Sequence, residues 1–444
     1  MAYNEFVFED YRYDPVRSTL SLYYSYDGGP RFEEQLIFDF VEQQLSPPAR
    51  EVLDRIFRLI LLLSGVSYYK AFIPRVLTCR AFELDERTAE FLQRFYERGL
   101  AEFAFRNNVS LHGHFRFQSN SAAQAAAPIT VDLARKICVP VGGGKDSIVT
   151  IECLKQASEP VLLFSLGDAE PIAACIAAAK LPFIRVHRRL DAGLSKLNEA
   201  GALNGHVPIT GILSAIALAG AVMSGCDAVA MSNEHSASAA NLSLDGVEIN
   251  HQYSKSFEFE RDLAQYVERS ISPSISYFSF LRPLSEIEIA RRFSKYPAYF
   301  GVFRSCNTAF RQAREARGRH WCCNCPKCRF VFLALSPFVA KPDLIEIFGC
   351  NLLDDETQRD GFAELCGLRA NKPFECVGET FESAGVMSYL ADHPDWRDDG
   401  VVRRLNEESA LLRHRGPTEF RALLEVRHSH RVPAPYLAML DACG

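Results

Sequence analysis

The sequence lacks the long apolar runs, the excess of basic charge and the hydrophobic leader that define several large classes of protein. Its most apolar early run, 59–63, is far shorter than the roughly 20 residues that span a bilayer. No basic stretch followed by an apolar one stands at the start, so we expect no secretory signal. Lysine and arginine number 49 against 55 acidic residues, a net charge of −6, so no global basic field attracts nucleic acid. We therefore expect a cytoplasmic protein with a small-molecule partner and no nucleic-acid or membrane partner, and the oligomeric state stays open.

The composition that remains is that of an ordinary globular protein. The chain has 444 residues, of which 48% are hydrophobic and 23% charged, which excludes a disordered chain, a collagen or a coiled-coil rod. This length predicts two to three domains. Most of the 14 cysteines stand singly in apolar contexts, and we expect them to be core residues without disulfides, as in reduced cytoplasmic chains. They include Cys138, Cys153, Cys175 and Cys226.

The first region, 1–128, is predicted to be an α+β domain. A helix is expected after a cap at Ser46 and a following proline, and a second helix over about 85–98. The small-residue stretch 119–128 is typical of a linker, so we place a domain boundary near its end. Alternating apolar residues predict strands near the start, namely Phe6, Phe8, Leu20, Leu22, Tyr24 and Tyr26.

From residue 129 the pattern alternates between strands and helices, which predicts an α/β fold with a parallel sheet covered on both faces. Ligands of such sheets bind at the carboxyl ends of the strands. After about 340 the pattern becomes mostly helical, so we place a second boundary there, between regions 129–340 and 341–444. The predicted strands are 137–141, 161–165, 183–186 and 228–231.

The most informative segment is Val139–Ser147, in which a predicted strand enters three glycines and a helix start. Glycines let backbone N–H groups approach an anion, and a helix N-terminus adds unpaired donors and a positive dipole end. Ser147 offers a further donor, and Asp146 suits the positioning of a metal ion or of the loop itself. The sequence does not decide whether Lys145 faces the phosphates or the solvent. No Walker A pattern can be drawn here, and the alternative to an anion site is a plain tight turn.

This loop resembles the PP-loop of the ATP pyrophosphatase superfamily, Ser-Gly-Gly-x-Asp-Ser, with Gly142 where that pattern usually has serine. The resemblance implies cleavage of ATP between its α and β phosphates, with Mg²⁺, and adenylation of a substrate oxygen. Asn233 and Glu234 follow the fourth predicted strand at the ligand edge, where the alternative is a turn and helix cap. The predicted nucleotide-binding residues are Gly142, Gly143, Gly144, Lys145, Asp146, Ser147, Asn233 and Glu234.

A dense group of cysteines over 322–328 predicts a metal site. Thiolates at this spacing suit tetrahedral Zn²⁺, and a closed four-sulfur site is structural rather than catalytic. Cys306 is the nearest upstream candidate for a fourth ligand, the spacing favours Cys322 over Cys323, and His320 is an outside alternative. The layout resembles the zinc site of 7-cyano-7-deazaguanine synthase, a PP-loop enzyme, while unliganded or redox cysteines are the alternatives. The predicted zinc ligands are Cys306, Cys322, Cys325 and Cys328.

Two further segments concentrate reactive side chains. The stretch 250–256 contains His251, Tyr253 and Lys255, which suit a phosphate or carboxylate, whereas the alternative is a solvated loop. Cys376 stands among turn residues, where the alternative is a buried cysteine. The sequence favours neither of two interpretations of His206, a residue that faces the ligand or a helix-cap or core residue.

Taken together, the motifs resemble the MurL-type UDP-N-acetylmuramoyl-L-alanyl-L-glutamate epimerases over most of the chain. The resemblance implies an isomerase of peptidoglycan precursor synthesis that uses ATP and Mg²⁺ to invert a terminal L-Glu through an acyl-adenylate, releasing AMP and pyrophosphate. It also implies ATP binding for region 129–340 and a substrate pocket for region 341–444. His251, Lys255 and Cys376 are the unranked candidates for its acid and base. The motifs are 142–147, 232–235, 250–255, 321–330 and 373–378.

Two alternatives belong to other classes. One is another PP-loop adenylating ligase, which forms an amide or nitrile or thiolates tRNA, although the net charge disfavours tRNA. The other is a zinc-stabilised nucleotide-binding module without catalysis. Formation of AMP with a carboxylate substrate separates the enzymes from the binding module.

Overall fold

The fold is that of the computed structural model of the chain, which describes residues 3–40, 44–123, 126–244, 247–310, 321–369, 372–413 and 417–444. The strands are β1 (Glu5–Asp14), β2 (Thr19–Tyr26), β3 (Arg31–Phe38), β4 (Val76–Cys79), β5 (Arg116–Phe117), β6 (Ala134–Pro140), β7 (Val161–Leu166), β8 (Phe183–Arg189), β9 (Cys226–Met231), β10 (Leu242–Leu244), β11 (Val247–Ile249) and β12 (Ser276–Ser279).

Helices separate and flank these strands. They are α1 (Pro47–Ser64), α2 (Val66–Tyr69), α3 (Glu86–Gly99), α4 (Ala101–Arg106), α5 (Lys145–Gln156), α6 (Glu170–Ala179), α7 (Ala192–Glu199), α8 (Ile209–Met223), α9 (Phe257–Tyr266), α10 (Glu286–Phe293), α11 (Pro326–Leu335), α12 (Lys341–Phe348), α13 (Arg359–Leu365), α14 (Thr380–Ala391), α15 (Gly400–Glu408), α16 (Ala410–Arg413), α17 (Pro417–Glu425) and α18 (Ala434–Ala442).

One ten-stranded, mostly parallel sheet organises the fold, in the order β12-β9-β6-β7-β8-β3-β2-β1-β4-β5. The strands β12, β9, β6, β7 and β8 are parallel to one another. Taken in chain order they form the 3-2-1-4-5 arrangement of doubly wound sheets, whose ligands bind where the strand order reverses. That point lies between β6 and β9. The four strands predicted for this region are confirmed, and β12 is a fifth that the sequence did not indicate.

The first region extends the same sheet. Its strands β1, β2 and β3 form an antiparallel meander, as the alternating apolar residues predicted. Strand β3 pairs antiparallel with β8, from Gln35 opposite Arg189 to Phe38 opposite Val186. Hydrogen bonding therefore runs without a break between the region before residue 128 and the region after it.

The two faces of the sheet carry separate apolar cores, as predicted for a covered parallel sheet. Strand β6 shows the division, since Cys138 belongs to one core and Ile137 and Val139 to the other. Helices α1 and α8 pack together on the first face. The predicted start of α1 is confirmed, because the Ser46 side chain accepts a hydrogen bond from the Ala49 amide. Helix α8 is apolar on nearly all sides because it is buried between the sheet and α1.

The described part of the region after residue 340 is mostly helical and has no strand, as expected. The expectation that the cysteines form no disulfides is wrong at one position: Cys153 of α5 is bonded to Cys443, 290 residues later. Neither residue has a neighbouring cysteine in sequence, so no spacing signals the pair. Cys138, Cys175 and Cys226 are buried and free, as predicted. Within the described ranges, no helix is both long and apolar enough to cross a membrane.

Candidate active site

The glycine loop joins the end of β6 to the start of α5. Gly143 has a φ of +78°, and a Cβ added there would lie 3.1 Å from the backbone carbon of Pro171. A Cβ at Gly144 would lie 2.8 Å from the hydroxyl oxygen of Ser305. Around Gly142 the space is open within 4 Å, so this position has room for the serine found in the PP-loop pattern.

Two hydrogen bonds and two ion pairs fix the loop. The backbone N–H of Arg304 donates to the Gly143 carbonyl at 2.8 Å, and the Ser147 hydroxyl donates to the Gly144 carbonyl at 3.2 Å. Lys145 is buried and pairs with the carboxylates of Asp146 and Glu286. Burial opposes the charge of Lys145, but the two carboxylates outweigh it and hold its pKa above the usual value. Lys145 therefore does not face solvent.

A cavity of about 310 Å³ lies at the switch point between β6 and β9. Its wall also includes Glu286, which no motif indicated, and Arg304, Ser305 and Lys327, which stand beside predicted zinc ligands in the sequence. The cavity thus forms at the sheet edge where the topology places a ligand. Most of the predicted nucleotide-binding residues line it, namely Gly142, Gly144, Lys145, Asp146, Ser147, Asn233 and Glu234.

Lys255 and Cys376 line the same cavity, although they are 121 residues apart in the chain. The Lys255 ammonium donates to the Cys376 sulfur over 3.3 Å. Burial alone would raise the pKa of Cys376, but Lys255 and a hydrogen bond from His251 outweigh burial and lower it to about 6. The two neighbours therefore favour the thiolate form of Cys376.

His251 connects this thiolate to the first region of the chain. It hydrogen bonds Cys376 and also Glu102 of α4, whose second oxygen accepts from Arg106 at 2.6 Å. Burial lowers the pKa of His251, but Cys376 and Glu102 outweigh burial and raise it to about 9. The ring of His206 lies 4.4 Å from that of His251, and burial together with the charge of His251 lowers its pKa to about 4.

Two residues of the predicted segments, Tyr253 and His235, do not line this cavity. Tyr253 is buried against Phe259. The ring of His235 stacks on that of His428 with centroids 3.4 Å apart. The Asn233 amide donates to the Ser279 hydroxyl at 3.1 Å, which joins β9 to β12 beneath the cavity wall.

Arg282 supports two cavity residues from below. It is completely buried and pairs with Glu260 at 2.9 Å. Its remaining guanidinium nitrogens donate to the backbone carbonyls of Glu234 and Lys255. One buried guanidinium therefore sets the relative positions of a cavity carboxylate and of the lysine beside Cys376.

The four predicted zinc cysteines come together beside the cavity, with sulfur atoms all within 4.8 Å of one another. The Cys328 sulfur lies 3.7 Å from that of Cys322 and 3.4 Å from that of Cys325. Tetrahedral Zn²⁺ with bonds of about 2.3 Å holds its sulfurs about 3.8 Å apart, so the set fits this ion. Cys323 is directed away, toward the Phe348 carbonyl at 3.2 Å. His320 lies outside the described residues.

The fold and the cavity define an α/β protein with its ligand site at the switch point of a doubly wound sheet. The chain belongs to the MurL family: a family model described as the MurL N-terminal domain matches residues 1–280, and one described as the MurL C-terminal domain matches 302–418. The family resemblance inferred from the motifs is thereby confirmed.

Two curated relatives cover most of the chain. A protein of Xanthomonas oryzae pv. oryzae is 39% identical over 420 residues, which are 95% of this chain and 93% of the relative. A protein of a Micromonospora species is 43% identical over 382 residues, 85% of this chain and 84% of the relative. Both are named UDP-N-acetyl-alpha-D-muramoyl-L-alanyl-L-glutamate epimerase. No solved structure matches the chain.

Proposed function

We propose that this protein is an ATP-dependent epimerase that inverts the terminal L-glutamate of UDP-N-acetylmuramoyl-L-alanyl-L-glutamate, a step of peptidoglycan precursor synthesis. The names of its relatives describe this substrate, and the alignments cover nearly the whole chain. The observation that carries the proposal is the sharing of one cavity by the glycine loop and by the Lys255–Cys376 pair. An activating group and a proton-transferring group thus reach the same ligand.

The chemistry requires activation before proton removal. The α-proton beside a carboxylate is a very weak acid, because its removal places a second negative charge on the same group. Adenylation by ATP converts the carboxylate to a mixed anhydride, which acidifies the α-carbon, and a general base then removes the proton. Reprotonation from the other face inverts the centre, and hydrolysis releases AMP. The glutamate nitrogen is bound in a peptide, so activation through a Schiff base is not open to this substrate.

The glycine loop is the proposed site for the ATP phosphates, in a core of PP-loop type. Gly142, Gly143 and Gly144 present backbone donors, and the start of α5 adds the positive end of its dipole. Asp146 and Glu234 face the cavity with carboxylates, the ligands that Mg²⁺ prefers, so the residues present fit this ion. When bound, Mg²⁺ neutralises charge that develops on the leaving pyrophosphate.

The cysteine site supports the cavity in this proposal. A structural Zn²⁺ held by Cys306, Cys322, Cys325 and Cys328 fixes the two segments that carry Ser305 and Lys327. Each of these cavity residues is adjacent to, or two residues from, a predicted ligand. Zinc binding therefore contributes to folding and to the shape of the cavity, without taking part in the reaction.

The three regions 1–128, 129–340 and 341–444 remain our proposed division of the chain. Glu102 from the first region contacts His251 of the central region, and Cys376 from the last region lines the cavity itself. We accordingly propose that both outer regions bound the pocket for the UDP-sugar. A cytoplasmic location is part of the same proposal, because the reaction consumes ATP.

Chiral analysis of glutamate tests the proposed function. Purified protein is incubated with UDP-N-acetylmuramoyl-L-alanyl-L-glutamate, ATP and Mg²⁺, and the released glutamate is resolved after acid hydrolysis. We expect D-glutamate together with AMP and pyrophosphate, and none of these without ATP. ADP and phosphate as products would instead indicate a ligase that forms an acyl phosphate.

A further inference from the structure

We propose that Cys376 is the base that takes the α-proton, and that Lys255 and the His251–Glu102 pair are positioning residues that keep its thiolate ionised and oriented. This assignment rests on the proposed function and ranks the three candidates that the sequence left open. Of the three, Cys376 and Lys255 line the cavity, whereas His251 does not. A base that meets the substrate directly is therefore one of the first two.

Cys376 and Lys255 lie too close together to act on opposite faces of the carbon that is inverted. Groups that take and return a proton on opposite faces of a carbon each lie about 3–3.5 Å from it, and so about 6–7 Å from one another. The Lys255 nitrogen lies 3.3 Å from the Cys376 sulfur. Both groups therefore face one side of the substrate, and the returning proton comes from another side of the cavity.

Charge decides between these two neighbours. Cys376 is faced by Lys255 and His251 from the segment before α9, and by Lys327 from α11. Glu102 lies behind His251, and Glu375 pairs with Lys327 at 3.8 Å. The positive groups favour the thiolate of Cys376, and the thiolate and the neighbouring carboxylates favour the protonated form of Lys255. A protonated amine cannot accept a proton, whereas a thiolate can.

Glu102 and His251 act through Cys376. Glu102 accepts a hydrogen bond from His251, and His251 donates to the thiolate, so the imidazole ring is held at both ends. Glu102, His206 and His251 also lie close enough to share a metal ion. The second carboxylate oxygen of Glu102 is already paired with Arg106, which favours the hydrogen-bonded relay over a metal site.

The proposed step balances as follows. The thiolate of Cys376 takes the proton from Cα of the acyl-adenylate and becomes a thiol. The C–H electron pair forms a carbon–carbon double bond, and the π pair of the carbonyl moves onto its oxygen, which gives an enolate. A proton derived from water returns to Cα from the opposite face, the carbonyl re-forms, and the thiol later loses its proton to solvent. No oxidant or reductant takes part.

Cys376→Ser and Cys376→Ala separate activation from inversion. With substrate, ATP, Mg²⁺ and D₂O, both variants should release pyrophosphate within a few-fold of the parent rate. Deuterium entry at Cα and formation of D-glutamate should fall about 10²–10⁴-fold, the usual contribution of a general base. Cys350→Ser, at an exposed free cysteine, serves as the control and should behave as the parent does. Wild-type protein that releases no pyrophosphate would refute the proposed function itself.

Lys255→Met tests the positioning role by its pH profile. Loss of the ammonium should raise the pKa of Cys376, so the rise of inversion with pH should move up by roughly 1–3 units. Inversion lost at pH 7 should then return at pH 9, and Lys255→Arg should keep the parent profile. If inversion by Lys255→Met stayed absent at every pH, Lys255 would be the base and our assignment would be wrong.

Two other results would overturn the assignment. A covalent substrate adduct on Cys376 in the parent protein, seen by intact mass after acid quench, would make the residue a nucleophile instead of a base. A divalent metal bound by the nucleotide-free parent protein beyond its structural zinc, and lost in Glu102→Gln at unchanged zinc content, would assign Glu102, His206 and His251 to a metal site.

Discussion

The ammonium group of Lys145 pairs with the carboxylate of Glu286, which lies 141 residues later in the chain. The pair joins the first residue of α5 to the first residue of α10, and both side chains are buried. The glycine loop is therefore held against the far side of its cavity by charge as well as by backbone hydrogen bonds.

Glu286→Gln should destabilise the protein because it leaves a buried lysine with less compensation. Removal of one partner of a buried pair typically costs about 3–5 kcal/mol, although Asp146 retains part of the compensation here. The free energy of unfolding in urea measures the loss. Asp10→Asn, which breaks an exposed pair with Arg12, should cost less than about 1 kcal/mol. Equal losses in the two variants would contradict the anchoring role.

Gly143→Ala should abolish nucleotide binding, whereas Gly142→Ala should be tolerated. Alanine at 143 is strained by the positive φ and by the backbone of Pro171, and alanine at 142 meets open space. Calorimetric titration with ATP and Mg²⁺ compares the ATP affinities of the two variants, each of which adds a single methyl group. If both variants bound ATP as the parent does, the loop would be a turn without a part in nucleotide binding.

Cys325→Ser should lose zinc, stability and activity together, and Cys323→Ser should keep all three. Cys325 contributes a sulfur to the four-cysteine group, whereas Cys323 faces the carbonyl of Phe348. Structural zinc binding contributes directly to folding, so the thermal midpoint should fall with the metal content. Elemental analysis of freshly purified protein provides the measurement. Less than stoichiometric zinc in the parent, prepared without chelator, would refute the site.

Arg282→Lys should reduce inversion while retaining the fold. Lysine keeps a positive charge beside Glu260 but loses the planar set of donors that holds the Glu234 and Lys255 carbonyls. A shift of about 1 Å at a reacting group commonly costs about 10²-fold in rate. Inversion rate and zinc content, measured on the same preparation, separate this loss from misfolding. An unchanged rate would show that the two carbonyls need no common anchor.

Local sequence signals predicted most of the elements of the sheet and its flanking helices. Period-two spacing identified the strands before Tyr26, and Ser46 and Asp85 cap helices that start close to the predicted positions. Strand β12 was not predicted, because it is only four residues long and its two serines are untypical of a buried strand. The disulfide between Cys153 and Cys443 was not predicted, because only the tertiary fold brings these two distant residues together.

The residues of the candidate site likewise include some that the sequence predicted and some that it did not. The glycine loop and the cysteine group are compact in sequence, so their residue types and spacing predicted how they assemble. Glu286 belongs to no motif, and Lys327 lies in the cysteine motif without being predicted as a cavity residue. Both reach the cavity through the packing of α10 and α11. Glu102 meets His251 across 149 residues, which no local pattern can indicate. That Tyr253 does not line the cavity could not be predicted, because its neighbours in sequence do not determine which side of a short turn faces the core.

Deuterium exchange tests the central claim, which is that ATP activates the glutamate before its α-proton is removed. The protein is incubated in D₂O with UDP-N-acetylmuramoyl-L-alanyl-L-glutamate and Mg²⁺, with ATP, without nucleotide, or with an ATP analogue that cannot be cleaved between its α and β phosphates. We predict deuterium at Cα, inversion and AMP in the first sample only. Deuterium uptake without ATP would contradict the account and indicate a two-base epimerase that needs no activation.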